Sequence, residues 1–326
     1  MLYIPIYLEK YFIGFYTILK EKFIIKIKNL FLLSIYLYFG GNVMNHLHKD
    51  CYEIIKVFNN NVLLVQENKN EKILFSKGIG FGKRPGDTIP FDIKIDKIFT
   101  IENQNNFNNF KSLMSNVDTK IIGLCEEIIS MIGDELKESL DEKIHISLTD
   151  HISYTIKRLM KNDCIENPFL VETETLYKKE FYIAKKAIKM LENKLNLIIP
   201  DEEAGFIALH IHSARNQGKL SNTIKYAFIS NTIVEFLEDE LKIEIDRKSL
   251  DYARFLTHIR FAIERILNNT PIKNELLTAI KKQYKISYKL AKKVSEIIEN
   301  ELSVDVPKEE IAYIAIHIEK FRTSSK

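Results

Sequence analysis

The hydrophobic positions of this chain change rhythm part-way along. Across residues 52–100, "YEIIKVFNNNVLLVQENKNEKILFSKGIGFGKRPGDTIPFDIKIDKIFTI", short β-branched runs alternate with turn formers, the signature of short strands. Asn59-Asn60-Asn61 and Glu67-Asn68-Lys69-Asn70 suit tight turns, because asparagine tolerates left-handed backbone. Gly78, Gly80, Gly82 and Pro85-Gly86 break the middle into a flexible loop. About four strands are predicted, enough for a small barrel or sheet that would gain from dimerising. Residues 101–115, "IENQNNFNNFKSLMS", are polar and asparagine-rich and read as a linker or a short helical connection. From about residue 116 the period turns helical: Ile121, Leu124, Ile128, Ile129 and Ile132 share one face, and similar spacing continues to the end.

The helical part repeats itself. His151 and His210 are 59 positions apart, and so are His258 and His317. Ile152, Tyr154, Ile156 and Arg158 follow His151 at the offsets at which Ile259, Phe261, Ile263 and Arg265 follow His258. "PDEEAGFIALHI" (200–211) and "PKEEIAYIAIHI" (307–318) match in the same way. Proline followed by carboxylates is a helix-start signature, since proline suits the first turn and acidic groups complement the positive helix end. Two helix types in the same order and spacing argue for duplicated helical domains. The chain therefore divides into a β domain (50–101), a connection (102–115) and two all-α bundles (116–220 and 225–326). The fold class is multidomain, a small all-β domain followed by two all-α helical bundles.

Composition narrows the function. The chain has 326 residues, 46% of them hydrophobic, enough for two or three domains with their own cores. The formal net charge is only +3, so a nucleic-acid site would have to be local. Cys51, Cys125 and Cys164 are odd in number and widely spaced, which fits a reducing, cytoplasmic setting rather than a disulfide or metal framework. Residues 1–43 are crowded with Tyr, Phe, Ile and Leu. Their uncharged run Asn29–Val43 falls short of the roughly 20 apolar residues a membrane span needs, and they lack the layout of a signal peptide. Gly40-Gly41 shortly before Met44 could be encoded as a ribosome-binding site. The expectation is that Met44 is the true start and that the extension is not translated; an interfacial helix is the alternative.

The four histidines admit several chemistries. A lone histidine on a helix face is commonly a satisfied structural residue, and duplication would copy it. Metal binding would want a helical ligand spacing, but His210 and His212 point in different directions and Glu319 stands where the second unit would need the counterpart of His212. A neutral imidazole nitrogen is also a competent phosphoryl acceptor near neutral pH. Arg158 and Arg265, two turns along from His151 and His258, could hold a phosphoryl group, steady a neighbouring helix, or form ordinary surface ion pairs. Asp150 faces Thr257 in the comparison of the two units, a place where they can differ. In the β region eight Lys/Arg stand against six Asp/Glu from Cys51 to Thr100. Lys77, Lys83 and Arg84 cluster around the glycine loop, as phosphate contacts would require. Phe81 sits between glycines with little local packing, a stacking platform for an unpaired base. Asn61 could read a base edge, or could serve only the turn. "GIGFGK" lacks the spacing of a phosphate-binding P-loop, so nothing marks an enzyme or a cofactor site.

"KVFNNNVLLV", "SKGIGFGKRPGD", "LTDHISYTIKR", "NPFLVETETLYKKEF", "DEEAGFIALHIHSA" and "IAYIAIHIEKF" resemble the transcriptional antiterminators of the BglG/SacY type, in the family's order, from about Tyr52 to Phe321. The resemblance implies a β co-antiterminator RNA-binding domain that dimerises, followed by two phosphotransferase-system regulation domains. It implies binding to a leader-mRNA hairpin at the expense of a terminator, controlling a sugar-utilisation operon. It also implies phosphorylation by the phosphocarrier HPr and a sugar-specific enzyme II on His151, His210, His258 and His317. The RNA-contacting set maps to Lys56, Asn61, Lys77, Gly78 and Phe81. Some relatives carry Gly-Arg where Ser76-Lys77 stand here, and lysine cannot make the bidentate contact that arginine makes. Two alternatives remain: a DNA-binding activator with the same regulation domains, against which the β head speaks, and a phosphotransfer protein.

Overall fold

The computed structural model describes residues 51–68, 70–163, 166–216, 220–270 and 272–324. The 1–43 extension with Met44, Lys69 and Cys164 lie outside the described residues.

Five antiparallel strands form one sheet: β1 (Cys51–Val57), β2 (Val62–Glu67), β3 (Asn70–Phe75), β4 (Thr88–Pro90) and β5 (Lys97–Thr100), in the order β4-β1-β2-β3-β5. The sequence reading of about four strands is one short, because β4 and β5 have only 3 and 4 residues, too few to display an alternation. The central strand β2 explains why its sequence reads as an unbroken apolar run: both of its faces are covered. Val62, Leu64 and Ile73 pack with Phe58, Phe110, Leu113 and Ile122. On the opposite face Leu63, Val65 and Leu74 pack with Tyr52, Ile54 and Ile89.

Phe110 and Leu113 come from helix α1 (Gln104–Asn116), which occupies the segment read as a linker or short helical connection. The Asn103 side chain caps it by accepting the backbone N–H groups of Asn105 and Asn106. The turns follow the asparagines by two routes. Asn68 takes the left-handed conformation, φ 58°. The β1–β2 turn closes instead through Asn59 Oδ1, which accepts Asn61 N–H at 2.8 Å. Successive turns bond the glycine loop to itself: Ile79 N–H to Ser76 O, Phe81 N–H to Gly78 O and Lys83 N–H to Gly80 O.

Two five-helix units follow. The first is α2 (Thr119–Leu136), α3 (Ile144–Leu159), α4 (Leu170–Leu176), α5 (Lys178–Leu195) and α6 (Glu202–Arg215). The second is α7 (Leu220–Leu241), α8 (Leu250–Leu267), α9 (Leu277–Gln283), α10 (Lys285–Leu302) and α11 (Lys308–Ser324). Their punctuation repeats as well as their helices. Asn196 after α5 and Ser303 after α10 both stop the helix in the left-handed region, φ 51° and 56°. Glu192 and Glu299 then reach forward to accept the backbone N–H groups of Ile199 and Val306. The isoleucine face expected on α2 holds from its second turn: Leu124, Ile128, Ile129 and Ile132 are buried with Ile152, Ile156, Ala184 and Ile207, while Ile121 is only partly buried against them. The second unit has its own core around Ile233, Phe255, Ile259, Ala291 and Ile314. A small cluster of Phe169, Tyr177, Leu209 and Ala227 joins the two units. Next to it the Tyr252 hydroxyl donates to Glu172, and both residues are buried.

Candidate nucleic-acid interface and paired histidines

The β1–β2 turn and the glycine loop are laced together. Asn61 Oδ1 accepts Gly78 N–H at 2.9 Å, and the Asn60 carbonyl accepts Gly80 N–H at 2.9 Å. Gly80 cannot be replaced without moving the turn, since a Cβ there would stand 2.3 Å from the Asn59 carbonyl oxygen. Gly78 has φ +76°, a conformation that favours glycine. Phe81 projects from this platform with 76% of its surface exposed. Lys77, Lys83 and Arg84 are exposed around it. Asn61, Lys77, Gly78 and Phe81 are thus brought together by two adjoining loops. Lys56 is aimed elsewhere: its ammonium donates to the Met114 carbonyl at the end of α1 (3.4 Å) and lies 5.9 Å from the Phe58 ring centroid. Asn61 Nδ2 has a partner that sequence spacing did not announce, Glu127 of α2, at 2.9 Å.

The equal spacing of the histidines becomes a crossing of helices. Helices α3 and α6 bring the His151 and His210 rings to a centroid distance of 5.1 Å. Helices α8 and α11 bring His258 and His317 to 4.1 Å, with the rings stacked. The two arginines steady the neighbouring helix. Arg158 pairs with Glu203, which also accepts from Thr155 Oγ1 at 3.0 Å. Arg265 grips Glu310 with two bonds of 2.7 and 2.6 Å. Both glutamates belong to the Pro-then-acidic helix starts, so their work is tertiary pairing as well as helix-end electrostatics.

The two pairs differ in their surroundings. His151 Nε2 lies 3.1 Å from Glu203 Oε2, at ion-pair distance but off hydrogen-bonding angle. The His151 ring also leans on Phe206, centroids 5.8 Å apart. His210 is buried, with Nδ1 3.2 Å from Ser147 Oγ. Burial, reinforced by His151 beside it, pulls its pKa down to about 3. In the second unit His258 is exposed. Partial desolvation beside His317 and then the charge of Arg265 lower its pKa. His317 is lowered to about 4, by burial first and then by His258 and Lys320. Burial works against ionised Glu203, but His151, Thr155 and Arg158 together hold its pKa below the ordinary value.

Histidines held neutral in the fold make stability depend on pH. The unfolded chain takes up protons at these positions below about pH 6.5, whereas folded His210 and His317 do so only near 3 and 4. The unfolded state binds more protons within that window, so stability is expected to fall as pH drops from about 6.5 toward about 4. Chemical denaturation midpoints at pH 7.5 and 5.5 check this. The His210→Gln variant should lose less on acidification than the parent chain, and equal losses would show that His210 is not the proton-linked group.

His212 points away from this centre, as its two-residue offset from His210 requires. Its Nδ1 sits 2.9 Å from Glu180 Oε1, and its ring lies on Tyr177 with centroids 4.0 Å apart. In the second unit Glu319 takes this place and accepts from Ser287 Oγ at 2.6 Å. The acidic partner has moved from one helix to the other while the contact is kept. Asp150 is exposed, and Thr257 turns its hydroxyl back to the Ala253 carbonyl at 2.7 Å.

Known proteins match this sequence over nearly all of its described length. The sequence pattern of the CAT RNA binding domain matches residues 52–108, and that of the PRD domain matches twice, at 126–214 and 231–321. The transcription antiterminator LicT of Bacillus subtilis is 37% identical over 272 residues, covering 82% of this chain and 98% of the relative. The chain belongs to the BglG/LicT family of transcription antiterminators. GlcT of Staphylococcus saprophyticus is 35% identical over 275 residues (84% of this chain, 98% of GlcT). The β-glucoside operon antiterminator of Dickeya chrysanthemi is 31% identical over 275 residues (83% and 97%). A crystal structure titled GlcT CAT-PRDI is 42% identical and covers 51% of this chain and 98% of that one, with a TM-score of 0.44. This antiterminator is accordingly a regulatory, non-enzymatic protein: an RNA-binding CAT domain on a small antiparallel sheet, then two helical phosphotransferase-system regulation domains. Among its described residues no helix is long and apolar enough to cross a membrane.

Proposed function

We infer that this antiterminator binds an imperfect hairpin in a nascent leader mRNA, stabilises it against an overlapping terminator, and so lets a sugar-utilisation operon be transcribed. One observation carries the RNA half of this reading: Phe81 stands exposed on a platform built by the Asn61–Gly78 bond, ringed by Lys77, Lys83 and Arg84. An aromatic face offers stacking to an unpaired base, an asparagine amide offers base-edge or 2′-hydroxyl bonds, and the ammonium and guanidinium groups take phosphate. The active species on this reading is a homodimer.

The control half rests on the two histidine pairs. His151, His210, His258 and His317 are candidate acceptors for phosphoryl groups from HPr and a sugar-specific enzyme II. The Glu203 carboxylate lies beside Nε2 of His151, and a neutral imidazole keeps one ring nitrogen with a free lone pair to act as the nucleophile. Each phosphoryl group adds up to about two negative charges beside an arginine–glutamate clamp, which is where the packing of α3 on α6, or of α8 on α11, would respond. Incubation with phosphoenolpyruvate, enzyme I and HPr, with and without the matching enzyme II, should place phosphohistidine on some of these four positions. Mass spectrometry that finds none with every component present would refute the control half.

A further inference from the structure

The RNA-binding head is seated on the first regulation domain. Helix α2 runs directly beneath the β1–β2 turn, and Gly123 permits that approach. A Cβ there would meet Asn59 Nδ2 at 2.6 Å and the Phe58 Cβ at 3.1 Å. One turn along, Glu127 Oε1 accepts from both Asn59 Nδ2 (3.0 Å) and Asn61 Nδ2 (2.9 Å). Two further anchors hold the head. Lys97 of β5 reaches Asp134 at 2.7 Å. Glu142 accepts the backbone N–H groups of Glu102 (2.6 Å) and Asn103 (3.1 Å) and the amide of Asn106 (2.6 Å). A glycine inside a helix costs about 1 kcal/mol relative to alanine, so Gly123 gives up helix stability at the point where the turn comes to rest.

The chemistry of the central contact bears on RNA. A glutamate carboxylate oxygen is an anionic acceptor, as a phosphate oxygen is, and it takes the amide hydrogens of the turn. It also sets a full negative charge against any polyanion approaching that turn. We propose that the α2 face carrying Gly123 and Glu127 competes with RNA for the Asn59–Asn61 turn, so that the seated head is the weakly binding state of the antiterminator. This rests on the reading of Asn61 as an RNA contact. The exchange asks little of the loop itself, because Asn61 Oδ1 keeps its bond to Gly78 N–H whichever partner holds the nitrogen. Linkage makes the effect reciprocal: any signal that lifts the head from α2 raises RNA affinity by the factor by which RNA favours the lifted head. A phosphorylation event in the first regulation domain would have a route to the RNA through α2.

The test titrates the full chain with a synthetic imperfect hairpin RNA copied from the leader of the neighbouring sugar-transporter operon. Glu127→Gln removes the competing charge. Gly123→Ala changes no charge and favours the helix, yet pushes Asn59 off α2, so it separates seating from electrostatics. Both variants are expected to bind about fivefold more tightly, or better. Affinity equal to or weaker than the parent in Gly123→Ala overturns the proposal, even where Glu127→Gln binds better. Phe81→Ala is titrated alongside. If it loses binding while the two α2 variants match the parent, the competition fails and the RNA site stands. If Phe81→Ala binds like the parent, the RNA site itself is wrong.

Discussion

Phe81→Ala should weaken hairpin-RNA binding by about 5- to 150-fold, the loss expected when a base–aromatic stack of about 1–3 kcal/mol is removed. The fold should not notice. Phe81 is 76% exposed and lies outside the two apolar clusters of the sheet, so truncation leaves no cavity, and surface changes of this kind stay within about 0.5 kcal/mol. The loop conformation is set by Gly78, Gly80 and their bonds to Asn60 and Asn61, none of which uses the ring. Gel-shift titration of parent and variant, with circular dichroism melts beside it, gives the answer. Unchanged affinity would move the RNA site elsewhere on the head. Lost affinity together with a lowered melting temperature would make Phe81 a structural residue.

The second large effect is a stability loss at Glu203. Arg158 is only 5% exposed, and Glu203 is its charged partner. Glu203→Ala leaves a guanidinium in the core of the first unit with no counter-charge, a defect of about 3–5 kcal/mol. The second unit supplies the control. Arg265 makes the equivalent clamp with Glu310, but its side chain keeps 30% of its surface in contact with solvent, so water can solvate the orphaned charge after Glu310→Ala and the loss should be clearly smaller. Calorimetry of both variants measures the difference. Equal losses would mean that burial of the arginine does not set the cost.

Much of this architecture was legible because the chain says it twice. Matching offsets from His151 to Arg158 and from His258 to Arg265 identify equivalent helices without any knowledge of packing. The glutamates were visible at fixed distances from proline, but their pairing was not. Arg158 and Glu203 are 45 positions apart, as are Arg265 and Glu310, and that equality was the available signal for a cross-helix clamp. Elsewhere local pattern misleads. Phe107, Phe110, Leu113 and Met114 have helical spacing, yet the asparagines between them give α1 the composition of a linker. Three residues of β4 cannot show a period at all. Glu127 was beyond reach of periodicity, because it sits on a helix whose apolar face is already accounted for, and its partners lie 66 and 68 positions away.

The junction between the two regulation domains sets how easily they can part. Among the described residues it includes the Phe169, Tyr177, Leu209 and Ala227 cluster, Leu176 packed against the second unit's core, and the buried bond from Tyr252 to Glu172. A buried bond to a carboxylate contributes about 1.5–3 kcal/mol, and so small an apolar cluster adds only a few more. About 5.5 kcal/mol of differential binding carries a two-state equilibrium from 1:99 to 99:1. Contacts of that size lie on the same scale as the charge that a phosphoryl group would add beside them, so the junction is where the proposed control by phosphorylation would be felt between the two domains.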